Sequence, residues 1–144
     1  MKLAVLLLAQ SLTIGIGEHR TDDVWRTWAP RWDVLEIEAQ APLPANLKLV
    51  GIMSFQRGVR GLNADRAWSD GPALSFGLQT NLTNFGPTRV DIGAKVFKLP
   101  KESARPVYSF YTYTPLSERF QLHLAPGWDQ TFAITARIDF RVLH

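Results

Sequence analysis

The feature that most constrains this chain is alternation. In the last segment Phe132, Ile134, Ala136, Ile138, Phe140 and Val142 fall on one side of a two-residue period, and Ala133, Thr135, Arg137, Asp139 and Arg141 on the other. A period of two is the signature of a β-strand with two chemically different faces. The same pattern runs through Leu74, Phe76, Leu78, Thr80 and Leu82, set against Ser75, Gly77, Gln79, Asn81 and Thr83. It recurs in Val90, Ile92, Ala94 and Val96 against Arg89, Asp91, Gly93 and Lys95. Leu35, Ile37, Ala39 and Ala41 alternate with Glu36, Glu38 and Gln40, and Phe120, Leu122 and Leu124 with Arg119, Gln121 and His123. Leu12, Ile14 and Ile16 repeat it near the amino terminus; in 46–57 it is less clean, and Tyr108 to Thr114 is aromatic with no obvious inside. Nine prolines scattered from Pro30 to Pro126 leave little room for helices. Only Asp22 to Trp32 has space for a short helical turn. The pattern predicts eight strands, at 10–18, 34–42, 46–57, 73–84, 88–98, 107–114, 118–125 and 131–142.

Composition narrows the function classes. A chain of 144 residues without repeats or low-complexity linkers is one domain, 1–144. Cysteine is absent, which removes disulfides, thiolate metal sites and thiol nucleophiles. The longest apolar run, Leu3 to Ala9, has seven residues, whereas a spanning helix needs roughly 20. A net charge of +3 is too small to argue for nucleic acid.

The connections sort by length. Those around Pro42 to Ala45, Asn84 to Pro87 and Pro115 to Ser117 are short, whereas Glu18 to Asp33, Gly58 to Pro72, Leu99 to Pro106 and Pro126 to Gln130 are longer. In an antiparallel meander with an even strand number, the longer ones share one rim and the tight turns the other. Outer-membrane barrels have this asymmetry, with strands about 9–11 residues long.

Alternation alone does not say which face is inside. A soluble barrel buries the apolar face; a membrane barrel turns it toward lipid. The polar faces carry charges of both signs able to neutralise one another: Glu36, Glu38, Lys48, Asp91, Lys95, His123, Arg137 and Asp139 are the expected interior network. Gly15, Gly17, Ser54, Ser75, Gly77 and Gly93 share that face and would relieve crowding in a narrow barrel. All five tryptophans, Trp25, Trp28, Trp32, Trp68 and Trp128, lie in or beside the longer connections, where a membrane interface would place amphipathic rings. On these grounds the expected fold is an all-β, eight-stranded, antiparallel up-and-down transmembrane β-barrel.

This pattern resembles the small eight-stranded outer-membrane barrels of Gram-negative bacteria, the OmpA/OmpX-like architecture. The likeness covers most of the chain and includes no motif of one subfamily. The closing strand Thr131 to Phe140 is similar to the aromatic-ended insertion signal of those proteins, here followed by Arg141 to His144. The resemblance implies a bacterial outer-membrane location, a plugged polar interior, and a structural, adhesive or protective role played by outward loops. Its implied partners are membrane lipid and lipopolysaccharide phosphates, met by loop residues such as Arg20, Arg57 and Lys101. Met1, Lys2 and the apolar run resemble the start of a secretory signal, with Ala9-Gln10-Ser11 a small-residue cleavage site. Residues 1–11 are therefore either a signal remnant or the beginning of the first strand.

Chemistry-bearing motifs are sparse. His19 with Asp22 and Asp23 matches no strong metal spacing, so no metal or other cofactor is expected. His123 lies on a polar face, able to meet Asp139 across the sheet, but no serine is placed to complete a triad. Gly15-Ile-Gly17 lacks the third glycine of a dinucleotide fingerprint, and the sequon Asn81-Leu-Thr83 falls within a strand. Three alternatives stand beside the membrane barrel: a secreted or periplasmic soluble barrel or sandwich around an apolar ligand, a viral structural subunit, and a lipid A-modifying membrane enzyme whose catalytic motifs the chain does not display.

Overall fold

The computed structural model describes residues 11–21, 34–56, 72–98, 103–128 and 132–143. They form eight strands: β1 (Ser11–Thr21), β2 (Val34–Pro42), β3 (Leu47–Gln56), β4 (Ala73–Phe85), β5 (Thr88–Lys98), β6 (Arg105–Pro115), β7 (Phe120–Trp128) and β8 (Phe132–Leu143). Each strand pairs antiparallel with its sequence neighbours, and β1 pairs with β8, so the sheet closes into an up-and-down barrel. Closure leaves no strand edge unpaired.

The tight turns share one rim, as the connection lengths require. Gly86 has φ +57° and precedes Pro87, between the paired residues Phe85 and Thr88. A positive φ followed by a fixed negative one is the arrangement of a type II′ hairpin turn. Ala45 and Asn46 take φ 63° and 60° in the β2–β3 turn, which Leu43 N–H closes onto the Leu47 carbonyl at 2.8 Å. In the β6–β7 turn the Ser117 hydroxyl accepts from Phe120 N–H at 3.1 Å.

The ends of β2 and β5 fall where the alternation places them. Strand β7 does not: the expected 118–125 becomes Phe120–Trp128, because the chain continues as strand through Pro126 and Gly127. Pro126 has no N–H to give, and the β6–β7 ladder skips Phe110 and Tyr111, opposite Pro126 and Ala125, before resuming at Ser109 and Gly127. Strand β6, whose alternation was ambiguous, turns Ser109, Tyr111 and Tyr113 inward and Tyr108 and Phe110 outward. The segment 22–32 and Trp25, Trp28, Trp32 and Trp68 lie outside the described residues, as do residues 1–10.

Orientation is the decisive property of the fold. Leu78, Ile92 and Ile138 are 44%, 39% and 39% exposed, whereas Glu38, Lys95 and Arg137 are 1%, 5% and 2% exposed. The apolar faces therefore point outward around the circumference and the polar faces converge on the axis. Among the described residues, the largest fully buried side chains are, apart from Val50, all polar or charged: Arg137, His123, Gln79, Glu38, Asp91 and Asp139. The apolar-lined interior that a soluble ligand-binding barrel or a sandwich would need is not built by the described residues.

Candidate functional site

The interior is the only part of the described barrel where charged chemistry is concentrated, and it divides into two clusters. The first surrounds Arg137, which β8 delivers to the axis. Its Nη1 donates to Glu36 Oε2 at 3.0 Å and its Nη2 to Asp139 Oδ2 at 3.0 Å, with Nε on Asp139 Oδ1. Glu38 Oε1 lies 3.1 Å from Nη2. One guanidinium thus engages three carboxylates, matching its planar fork of donors to their oxygens. Gln121 adds a hydrogen bond to Asp139 Oδ2 at 3.0 Å.

A glycine makes this possible. A Cβ on Gly15 would run into the Asp139 carboxylate and the Arg137 side chain. The missing side chain in β1 is the space that the ion pair in β8 occupies. At Gly93 the limit is backbone instead: a Cβ there would run into the Leu78 carbonyl of the neighbouring strand, with the Tyr111 ring 3.2 Å away.

Aromatic side chains line the cluster. Lys95 Nζ stands 3.9 Å from the centroid of the Tyr111 ring and makes no hydrogen bond. That is a cation–π contact in a desolvated setting. The His123 ring stacks on Tyr111 at 6.3 Å and meets Tyr113 at 4.5 Å between centroids. Its Nδ1 lies 3.0 Å from the Thr112 carbonyl. His123 registers with Arg137, and it is Gln121 that registers with Asp139. The cross-sheet His123–Asp139 pairing that the sequence suggested is therefore displaced by one inward position, and the imidazole is enclosed by rings and a backbone carbonyl rather than by a carboxylate and a serine.

The second cluster lies toward the tight turns and centres on Asp91. Lys48 Nζ and Arg89 Nε both lie 3.3 Å from Asp91 Oδ2. Gln79 donates to the same oxygen at 3.0 Å, and Asn81 to Oδ1 at 3.3 Å. The Arg89 guanidinium covers the Tyr113 ring at 4.3 Å. Lys48 and Arg89, the cations of this cluster, line an open vestibule of about 420 Å³.

Tyr113 joins the two. Its hydroxyl donates to Glu38 Oε2 at 3.2 Å and accepts from Gln40 and Gln79, each at 3.1 Å. Gln40 in turn donates to Glu38 at 2.6 Å.

All eight charged or imidazole residues singled out from the sequence thus lie on the inner face, in one of these two clusters. Sequence reasoning missed Gln40, Gln79, Gln121 and Tyr113, which carry the hydrogen bonds between the charges. Their inward parity was readable, but amides and a phenol do not announce a network as charges do. Of the tryptophans only Trp128 is described; it ends β7, exposed and facing outward beside Tyr108. Among the described residues no group of acidic or histidine side chains is arranged to hold a metal ion.

No protein-family profile matches the chain, and no curated protein matches it significantly. A solved structure from the work "De novo design of transmembrane beta-barrels" does match, at 11% identity and a TM-score of 0.63, over 93% of this chain and 97% of that one. At that identity the likeness is one of fold: the chain is a closed, eight-stranded, antiparallel β-barrel with the architecture of a transmembrane barrel.

Proposed function

We propose that this protein is an integral barrel of the bacterial outer membrane, with a closed polar interior and a structural, adhesive or protective role exercised by its longer connections. The observation that carries this reading is the inverted surface: apolar side chains ring the outside while charges fill the axis. In water such a molecule would expose a continuous apolar band far larger than the few hundred Å² tolerated by soluble monomers. In lipid the same band is the favourable surface, and closure pairs the strand edges with one another inside the sheet.

The dimensions agree. Strand β7 carries the exposed aromatics Phe120 and Trp128 at its two ends, nine residues apart inclusive. At about 3.4 Å per residue and a tilt of about 40°, they are separated by roughly 21 Å along the axis, close to the usual apolar band of about 25 Å. Phe140 packs edge-on against Phe120 at 5.5 Å, and Tyr108 neighbours Trp128. Aromatics at both levels are what two headgroup belts would favour.

The filled axis leaves no wide channel, so bulk transport is not the role. The longer connections supply the outward chemistry, in which arginines and lysines interleave with tryptophans. Such residues suit contact with lipopolysaccharide phosphates.

The test is folding environment. The chain should fold only in detergent or lipid, and its electrophoretic migration should shift on boiling. A folded, monodisperse monomer in plain buffer would overturn the reading. In an expressing Gram-negative cell the protein should fractionate with the outer membrane, and external trypsin on intact cells should cut within 57–71 while sparing the tight-turn rim.

A further inference from the structure

The vestibule at the tight-turn rim is not accounted for by the membrane reading. Three turn prolines, Pro42, Pro87 and Pro115, surround its mouth, one from each hairpin, and the space inside is about 420 Å³. That volume lies in the range of small-molecule sites. Its wall carries Lys48, Arg89 and Arg141, of which the first two pair with the fully buried Asp91 behind it.

The charges do not balance locally. Among the described residues at the vestibule, three cations meet one carboxylate, which leaves two positive charges over. Asp91 is already saturated: Lys48, Arg89 and Gln79 converge on one of its oxygens, and Asn81 donates to the other. It therefore has little left to offer Arg141. Among the described residues Arg141 has no carboxylate within ion-pair distance, and its Nε is buried without a hydrogen-bond partner. The Thr13 hydroxyl on the same wall is also buried and unpartnered. Thr13 and Arg141 are register partners across the β1–β8 seam, so the two orphaned groups stand side by side. A buried donor without an acceptor is destabilising, and an occupant that accepts from both would relieve it.

We infer that this vestibule binds a phosphate group, held by Arg141 and Arg89 with Thr13 as a hydroxyl donor. The two surplus charges match a phosphate monoester dianion better than a carboxylate. A guanidinium fork suits tetrahedral phosphate oxygens. The remaining volume admits a small organic group on the phosphate, and the polar wall, with Gln121 and Ser11, would meet a hydroxylated one.

The test uses the full chain refolded in a non-ionic detergent without phosphate in its headgroup. Glycerol 3-phosphate is titrated at fixed ionic strength, with acetate and chloride as controls, by calorimetry and by shifts of the arginine side-chain NMR signals. Saturable binding is expected for glycerol phosphate and not for the controls. Arg141→Gln should weaken it by about tenfold or more, Arg141→Lys should restore part of it, and Arg119→Gln, outside the vestibule, should leave it unchanged. No response beyond chloride, or equal affinity in Arg141→Gln, overturns the proposal. Boiling-sensitive migration of each variant shows that the barrel is folded, so a failure to bind is separable from a failure of the membrane reading. Repeating the titration in phosphatidylcholine vesicles with and without phosphatidylglycerol identifies the source. Competition by the anionic lipid assigns the site to a headgroup, and its absence assigns it to a soluble phosphate.

Discussion

The two charge clusters inside the barrel are inverses of each other. Around Arg137 one guanidinium is shared by three carboxylates; around Asp91 one carboxylate is shared by two cations, with a third close by. The first is wholly buried, whereas Lys48 and Arg89 are partly exposed at the vestibule. Burial explains the difference. Deep in the barrel an unpaired charge would lose its hydration with nothing in return, so every charged hydrogen-bonding group there is met by a partner or an aromatic face. At the mouth, water and ions can approach, and an excess of one sign is tolerated. The inner cluster therefore fills the axis and ties β8 to β2 across the intervening β1, and the outer one is free to receive something.

The comparison predicts unequal losses. The largest is Arg137→Met, which leaves Glu36, Glu38 and Asp139 buried without their cation; a destabilisation of about 3–5 kcal/mol is expected, read from urea unfolding of the refolded barrel in micelles. An equal loss in Arg89→Gln would break the distinction between the clusters. Next comes Leu78→Arg, which places a cation on the outward side of β4, next to Gln79 but facing away from the interior carboxylates. In lipid vesicles it should cost about 2–4 kcal/mol if it lies near mid-bilayer; a change within about 0.5 kcal/mol would mean that this surface faces water. Tyr113→Phe removes the hydroxyl that links the clusters and leaves Glu38, Gln40 and Gln79 short of a partner, at about 1–3 kcal/mol. The smallest stability effect is that of Arg89→Gln itself, below about 1 kcal/mol, because its ion pair is partly solvated.

Much of this was legible in the residues. The alternation in Leu35 to Ala41 and in Val90 to Val96 marks β2 and β5 because each keeps one face apolar without interruption. Strand β7 was misjudged at its end because Pro126 and Gly127 carry the composition of a loop, yet Pro126 needs only a ladder position where no N–H is required. Strand β6 gave no inside because tyrosine has an apolar body and a polar tip. Tyr108 points out and Tyr111 and Tyr113 point in, and nothing in a run of tyrosines separates them. The inner cluster was legible as a set of charges. Its bonding was not: the expectation that His123 meets Asp139 assumed the nearest polar pair, whereas the β7–β8 register sets His123 beside Arg137 and gives Asp139 to Gln121.

By itself the sequence determined that there are eight strands, most of them with two unlike faces, and that their tight turns share a rim, because side-chain period and turn chemistry are local properties. Closure decided the rest. Whether a polar face looks toward an axis or away from it depends on the sense in which the sheet curls, which no single strand encodes. Tyr113 meets Glu38 across 75 positions of chain, and Arg137 meets Glu36 across 101. Such partners become neighbours only when β1 pairs with β8 and every inward side chain is brought to the same narrow space.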